Sequence, residues 1–339
     1  MEGGESVAPP VAAEEEGGDL QEEQVMSEVH LGCPPNHSGP HISRFTISLT
    51  PRVEEIDDRM NLVSGKVYEV DEDGDLVVIR RRKPLKDSFV IFVQHSITSS
   101  IPRVGLQVWR AELVLADFFL MLSFGDDIAA CLTELSFVSL PGLVGMLLAR
   151  AANTVFITGM RLELNLQNTA QDDSDSLGFC IRASIYVREL DWNHPWPPVV
   201  VVDPPSKQSF GWISSELEKL QSASLLLAAD VIYSDDLTDA FFSCLEAIMS
   251  SSSEKVLFLA LEKRYNFSIN DLDVVANGYS HFRSYLKVEE EEGDALETEF
   301  PQRFVSRPIN LEEIPQYVHE YERGNDVEIW KIKYAGPKP

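Results

Sequence analysis

Apolar positions change their spacing along the chain. Between residues 41 and 96 they fall in short strand-like runs at 44–49, 66–70, 75–82 and 88–95, separated by turn formers such as Asp73-Gly74. This region reads as a small β-rich appendage. From about residue 105 helical spacing enters: 108–122 carries apolar residues at near-helical intervals, and 143–152 is a second helical stretch rich in Leu and Ala. Compact β-rich runs follow at 154–158, 184–190, 224–230 and 255–261, with a helix at 237–249 between the last two and a closing strand at 327–333. Runs of this kind belong to a sheet covered on both faces, so their alternation with helices predicts a doubly wound α/β domain. Ligands bind such sheets outside the carboxyl ends of the strands, which singles out the loops after Leu135, Thr158, Leu190 and Ala229.

The charge distribution refines this picture. The 339 residues include 28 Lys and Arg against 55 Asp and Glu, a formal net charge of −27. Such a surface repels phosphate backbones and anionic lipid, which argues against direct nucleic-acid binding and favours basic protein partners. Residues 1–30 hold nine acids and no Lys or Arg in a Gly-, Ala- and Pro-rich context, so residues 1–40 read as a disordered acidic tail. A second acidic run at 289–294 reads as an exposed loop. No apolar run reaches the roughly 20 residues of a membrane-spanning helix, and the N-terminus does not read as a secretory signal. The expectation is residence in nucleus and cytoplasm, without membrane attachment. Cys33, Cys131, Cys180 and Cys244 are widely spaced with no clustered histidines, so neither a disulfide framework nor a metal site is predicted.

Four loop signals carry candidate chemistry. Trp109 offers a ring face to an apolar or cationic ligand, or equally a core indole at a helix start. Glu134-Leu135, followed by Gly142, places glycine at a strand-to-helix turn, where backbone can approach a ligand closely. Asp191-Trp192 closes one strand, and Ala229-Asp230 closes another with Tyr233 just beyond. Asp230 can position or deprotonate an amine and Tyr233 can present a π-face to a cation; the plainer reading is a helix cap with a packed neighbour. Trp192 is either a stacking ring or core. Two decoys are set aside. The acidic run 71–75 lacks the Gly and Glu of a calcium loop at the required positions. The run 199–206 resembles an Asp-Pro-Pro-aromatic motif but ends in Ser206, and the strand it would supply is better supplied by 225–230.

Six dispersed segments, in order, carry a resemblance: DEDGDLVVIRR (71–81), VGLQVWRAELVLADF (104–118), VRELDW (187–192), LLAADVIYSDDLTDAFF (226–242), LEKRYNFSINDLDVV (261–275) and YSHFRSYL (279–286). Over about residues 65–335 the chain resembles the seven-β-strand S-adenosylmethionine-dependent methyltransferases of the lysine methyltransferase group. That likeness implies a Rossmann-like, seven-stranded, mostly parallel sheet with one antiparallel strand, and a methyltransferase domain over 97–335. It also implies S-adenosyl-L-methionine as cofactor and a methyl acceptor lysine on a protein, expected to be basic. It assigns Trp109, Glu134, Leu135, Gly142, Asp191, Trp192 and Ala229 to the cofactor pocket, and Asp230 with Tyr233 to catalysis on the substrate side.

The chain departs from the family pattern in two places. The first loop loses its inner glycines, with Phe137 and Val138 placing bulk there. At the end of the second strand Gly159 stands where the family has an acid that bonds the ribose hydroxyls. A buried hydroxyl left unpaired costs roughly 1–3 kcal/mol, so a weakened cofactor site is expected. The alternative to a protein-lysine methyltransferase is a non-catalytic module of the same fold that binds a protein partner.

Overall fold

The computed structural model describes residues 24–30, 41–48, 88–100, 105, 107–123, 142–150, 152–159, 183–201, 210–250, 254–268, 272–289 and 303–337. Four strands come first: β1 (Gln24–Met26), β2 (His41–Ser48), β3 (Ser88–His95) and β4 (Thr98–Ser100). β1 pairs antiparallel with β4, and β2 with β3. The strands expected at 66–70 and 75–82 lie outside the described residues. Phe45, Ile47, Phe89, Ile91 and Val93 alternate along β2 and β3 and join the same core as the first helix, so the appendage shares the main core.

The strand at Gln24–Met26 corrects part of the expected disordered tail. Buried Gln107 explains it: its side chain accepts from the Ser27 amide at 2.6 Å and donates to the Val25 carbonyl at 3.0 Å. Composition could not reveal this, because the partner lies about 80 residues away.

Helix α1 (Arg110–Ser123) is buried on every side from Ala111 to Leu120. A helix apolar all round sits inside a core, where each large side chain contributes about 1.5–3 kcal/mol by leaving water. Two acids interrupt it, Glu112 and Asp117, both inaccessible to solvent. Asp117 accepts from the Tyr317 and Val318 amides at 2.8 and 2.9 Å, from Arg323 Nη2 at 2.9 Å and from the Tyr321 hydroxyl. It thereby ties the central helix to a segment some 200 residues later.

Helix α2 (Leu143–Leu148) leads to β5 (Thr154–Gly159), which pairs parallel with β6 (Ser184–Glu189). Helix α3 (Ser214–Ser222) is held to β6 by Arg188, whose Nε lies 2.7 Å from Glu216 and whose Nη2 reaches the same carboxylate. Then come β7 (Leu225–Ala229), α4 (Asp235–Met249), β8 (Val256–Glu262), the hairpin strands β9 (Asn266–Ser268) and β10 (Asp273–Val275), α5 (Asn277–Ser284), β11 (Leu286–Val288), β12 (Phe304–Ile309) and β13 (Val327–Tyr334).

Five of these form one sheet in the order β11-β12-β13-β8-β7, in which β13 runs antiparallel to both neighbours and the other pairs are parallel. Its two faces are sorted residue by residue. Leu227 and Ala229 of β7, Ala260 of β8 and Ile329 of β13 join the core around α1, whereas Leu226, Ala228, Leu257, Leu259 and Ile332 join the core around α4. Helices on both faces explain why these strands read as unbroken apolar runs. The architecture is therefore α/β. Among the described residues the strands form one five-stranded sheet and four two-stranded pairs, β5–β6 among them; the expected strand ending at Leu135 lies outside these residues.

Of the run 199–206 only 199–201 lie among the described residues, and these form no core strand: Val199 is 90% exposed and Val200 makes one isolated bridge to Trp212.

Candidate functional site

The carboxyl end of β7 turns sharply at Asp230. Its amide extends the strand ladder to the Ala260 carbonyl at 2.8 Å, while its φ of 54° lies in the left-handed region that a non-glycine residue adopts at a cost. Such strain gathers at functional sites. The side chain is 1% exposed, and Oδ2 accepts from Arg264 Nη2 at 2.5 Å. Among the described residues Oδ1 has no hydrogen-bond partner. Burial pushes this carboxyl up to about 6; the Arg264 charge opposes the rise and the Glu28 charge adds to it.

Asp230 does not cap the helix that follows. Ser234 occupies that position, and Tyr233 between them is 40% exposed, its hydroxyl raised above the usual range by the burial of the rest. The plainer expectation for Asp230 is thus overturned, because its carboxylate points to a cation.

Arg264 connects Asp230 to Trp109. Its guanidinium carbon lies 4.5 Å from the centre of the buried Trp109 ring, so one cation contacts both an aromatic face and a buried carboxylate. Trp109 directly precedes α1, whose first amide, that of Arg110, donates to Glu28 Oε1 at 2.7 Å. The Arg110 side chain reaches back to Glu262, the last residue of β8. Burial, and then the adjoining Glu28 carboxylate, raise the Glu262 carboxyl, while Arg110 pulls it down. Three carboxylates (Glu28, Asp230 and Glu262) are thereby gathered with two guanidinium groups at the ends of β7 and β8. Gly324 makes room for the arrangement: its φ is +69°, and a Cβ there would lie 2.9 Å from Arg110 Nη1.

The residues assigned to the cofactor side are more dispersed. Glu134 and Leu135, and the altered loop at 136–141, lie outside the described residues. Gly142 is buried at the start of α2 with φ 100°, a conformation that favours glycine. Leu143, the next residue, donates its amide to Glu112 Oε1 at 2.8 Å, so a buried acid from α1 sits at this helix start. Burial pushes Glu112 up to about 8 against the hydrogen bonds it accepts. Asp191, just beyond β6, spends its carboxylate on a local turn, accepting from the Asn193 amide at 3.0 Å and the His194 ring at 2.9 Å. Burial would raise it, but these bonds hold it below the usual range. The half-buried Trp192 ring meets Phe241 edge-on at 5.1 Å, on the α4 side of the sheet. Ala229 is buried beside Asp230. At the end of β5, Gly159 follows Thr158, whose buried Oγ1 has no partner among the described residues.

The structure thus brings Trp109, Ala229 and Asp230 to one edge, leaves Tyr233 exposed nearby, and turns Asp191 and Trp192 toward local partners. Sequence reasoning overlooked Glu28, Glu112, Glu262 and Arg264. The one available signal was an acid inside an apolar helix, as at Glu112; the other three reveal themselves only through long-range contacts.

No protein-family model matches the chain. Methyltransferase-like protein 22 from Homo sapiens is 32% identical over 301 residues, 78% of this chain and 70% of the relative. Its Mus musculus counterpart is 30% identical over 337 residues, 88% of this chain and 80% of the relative. Among solved structures, human N-acetylserotonin methyltransferase (ASMT) in complex with SAM overlaps 67% of this chain and 56% of its own, at 10% identity and a TM-score of 0.30, which is too loose to bear on the fold. Identity of this level over most of both chains places the sequence firmly: it belongs to the methyltransferase-like protein 22 family.

Proposed function

We propose that the chain is an S-adenosylmethionine-dependent methyltransferase whose acceptor is a lysine on a basic protein. The observation that carries the reading is the buried Asp230 carboxylate at the carboxyl end of β7, with one oxygen on a cation and the other without a described partner. A lysine ammonium suits that site, because a buried carboxylate is stabilised by a charged donor. The acidic surface favours approach of a basic protein.

S-adenosylmethionine, when bound, supplies an activated methyl group for direct displacement. Two buried polar atoms are available to a polar ligand: Thr158 Oγ1 near the end of β5 and Asp230 Oδ1 just beyond β7 both lack described partners. Gly142, Asp191, Trp192 and Ala229, with Glu134 and Leu135, would hold it, and Trp109, beside Asp230 through Arg264, would border both the cofactor and the acceptor amine. Asp230 orients the incoming amine and accepts its proton, since a carboxyl near 6 is ionised at neutral pH yet more basic than an ordinary one. Tyr233 offers an exposed ring at the entrance. No metal is required for this chemistry.

A second reading follows from Gly159, the final residue of β5, which has no side chain to receive a ribose hydroxyl. It is a non-catalytic module of the same fold that binds a protein partner. Calorimetric titration of the folded chain with S-adenosylmethionine and its demethylated product separates the two. Micromolar binding, followed by methylation of a basic protein that is lost in Asp230→Ala, supports the enzyme; absence of binding by folded protein supports the module.

A further inference from the structure

The acceptor seat just described already contains a cation. Arg264 donates to Asp230 Oδ2 at 2.5 Å and lies 4.5 Å over the Trp109 ring, the two contacts that would recognise an alkylammonium. We propose that Arg264 is an internal stand-in for the acceptor amine, which must leave the Trp109–Asp230 seat before a primary alkylammonium can enter. The inference rests on the lysine-acceptor reading and extends it to a residue that governs access.

Three features fit a placeholder. A guanidinium stays protonated and offers no nucleophilic lone pair at physiological pH, so it can occupy the seat without accepting a methyl group. Its presence keeps the inaccessible Asp230 carboxylate paired; an isolated buried carboxylate would take up a proton instead. It also has a way out. The Arg264 side chain is 39% exposed, whereas that of Asp230 is 1% exposed. Arg264 sits between β8 and β9 outside regular structure, so moving it breaks no strand ladder. The hairpin it leads into exposes Phe267, Leu272 and Val274.

The local charge completes the case. With Arg264 in place, Glu28, Asp230 and Glu262 face two guanidinium groups; with it withdrawn, only Arg110 remains among these residues. A vacated seat therefore attracts another cation, and Asp230 Oδ1 supplies a second acceptor.

The test titrates the full chain with n-butylammonium chloride, the lysine side-chain analogue, at constant ionic strength and at a pH above the Asp230 midpoint of each protein, read from the carboxyl carbon-13 shift. Binding is read from the Trp109 indole resonance, assigned with Trp109→Phe. Arg264→Ala, and Arg264→Gln as a variant that keeps side-chain length, are expected to bind the amine at least about tenfold more tightly than the wild type. Adding Asp230→Asn should remove that gain. Equal binding by wild type and both folded variants would show that Arg264 does not compete. Absence of binding in the variants would show that the seat does not take an amine. The readout needs no methyl transfer: amine binding without methylation of any protein counts against the proposed reaction and leaves the seat standing.

Discussion

The Glu112 carboxylate lies 2.8 Å from the Leu143 amide nitrogen, so an acid inside the buried helix α1 satisfies a buried donor in the first turn of helix α2. Burial raises its pKa to about 8, and its second oxygen has no described partner. A carboxyl raised in the folded state stabilises the protonated form, so this contribution is present at low pH and lost as pH climbs from about 4.5 to about 8. Glu112→Gln keeps the acceptor and removes the charge. Urea unfolding across that range should show a falling stability for the wild type and a flatter profile for the variant; parallel profiles would mean that Glu112 is ionised in the folded protein.

Asp117 holds two amides, a tyrosine hydroxyl and the partly buried Arg323. Asp117→Ala strands all four donors and leaves the guanidinium without its carboxylate. Breaking such a buried pair costs about 3–5 kcal/mol. Equilibrium denaturation should show a loss of this size, and a loss under about 1 kcal/mol would imply that water reaches the network.

Asp230 titrates in a direction set by its neighbours. Its carboxyl is raised to about 6 by burial, lowered by Arg264 and raised again by Glu28. The stability it adds is present below about 3.8 and lost as pH rises toward 6. Carbon-13 NMR of the carboxyl should place the wild-type midpoint near 6. Arg264→Ala should move it upward and Glu28→Gln downward. A midpoint indifferent to both changes would place these charges too far away to matter.

Gly324 combines a φ of +69° with a close approach to Arg110. Gly324→Ala should destabilise the protein by about 1–2 kcal/mol from the left-handed backbone alone. It should also displace the Arg110 side chain from Glu262. Thermal unfolding measures the first effect, and a changed Glu262 titration reveals the second; an unaltered melting temperature would argue that the loop relaxes freely.

Much of the fold was readable from residue order. The predicted helix at 237–249 is α4, Asp235–Met249, and the predicted strands at 224–230, 255–261 and 327–333 are β7, β8 and β13 to within a residue or two. β12 escaped because Arg307 and Pro308 interrupt its apolar pattern; it is buried at Phe304 and Ser306 by pairing with β13. The short helices α3 and α5 escaped for a related reason, being mostly polar with only a narrow buried stripe.

Local sequence alone determined the alternation of helix and strand, the two-sided burial of β7 and β8, and the placing of candidate chemistry at their carboxyl ends. Apolar periodicity records which side of each element leaves water, and that is a local property. Tertiary structure alone decided that Asp230 meets Arg264 instead of capping α4, that Glu28 joins the acids at the ends of β7 and β8, and that Glu112 caps a helix other than its own. These choices join residues 31 or more positions apart, and a charged side chain buried by folding takes whichever partner the packed chain brings within reach.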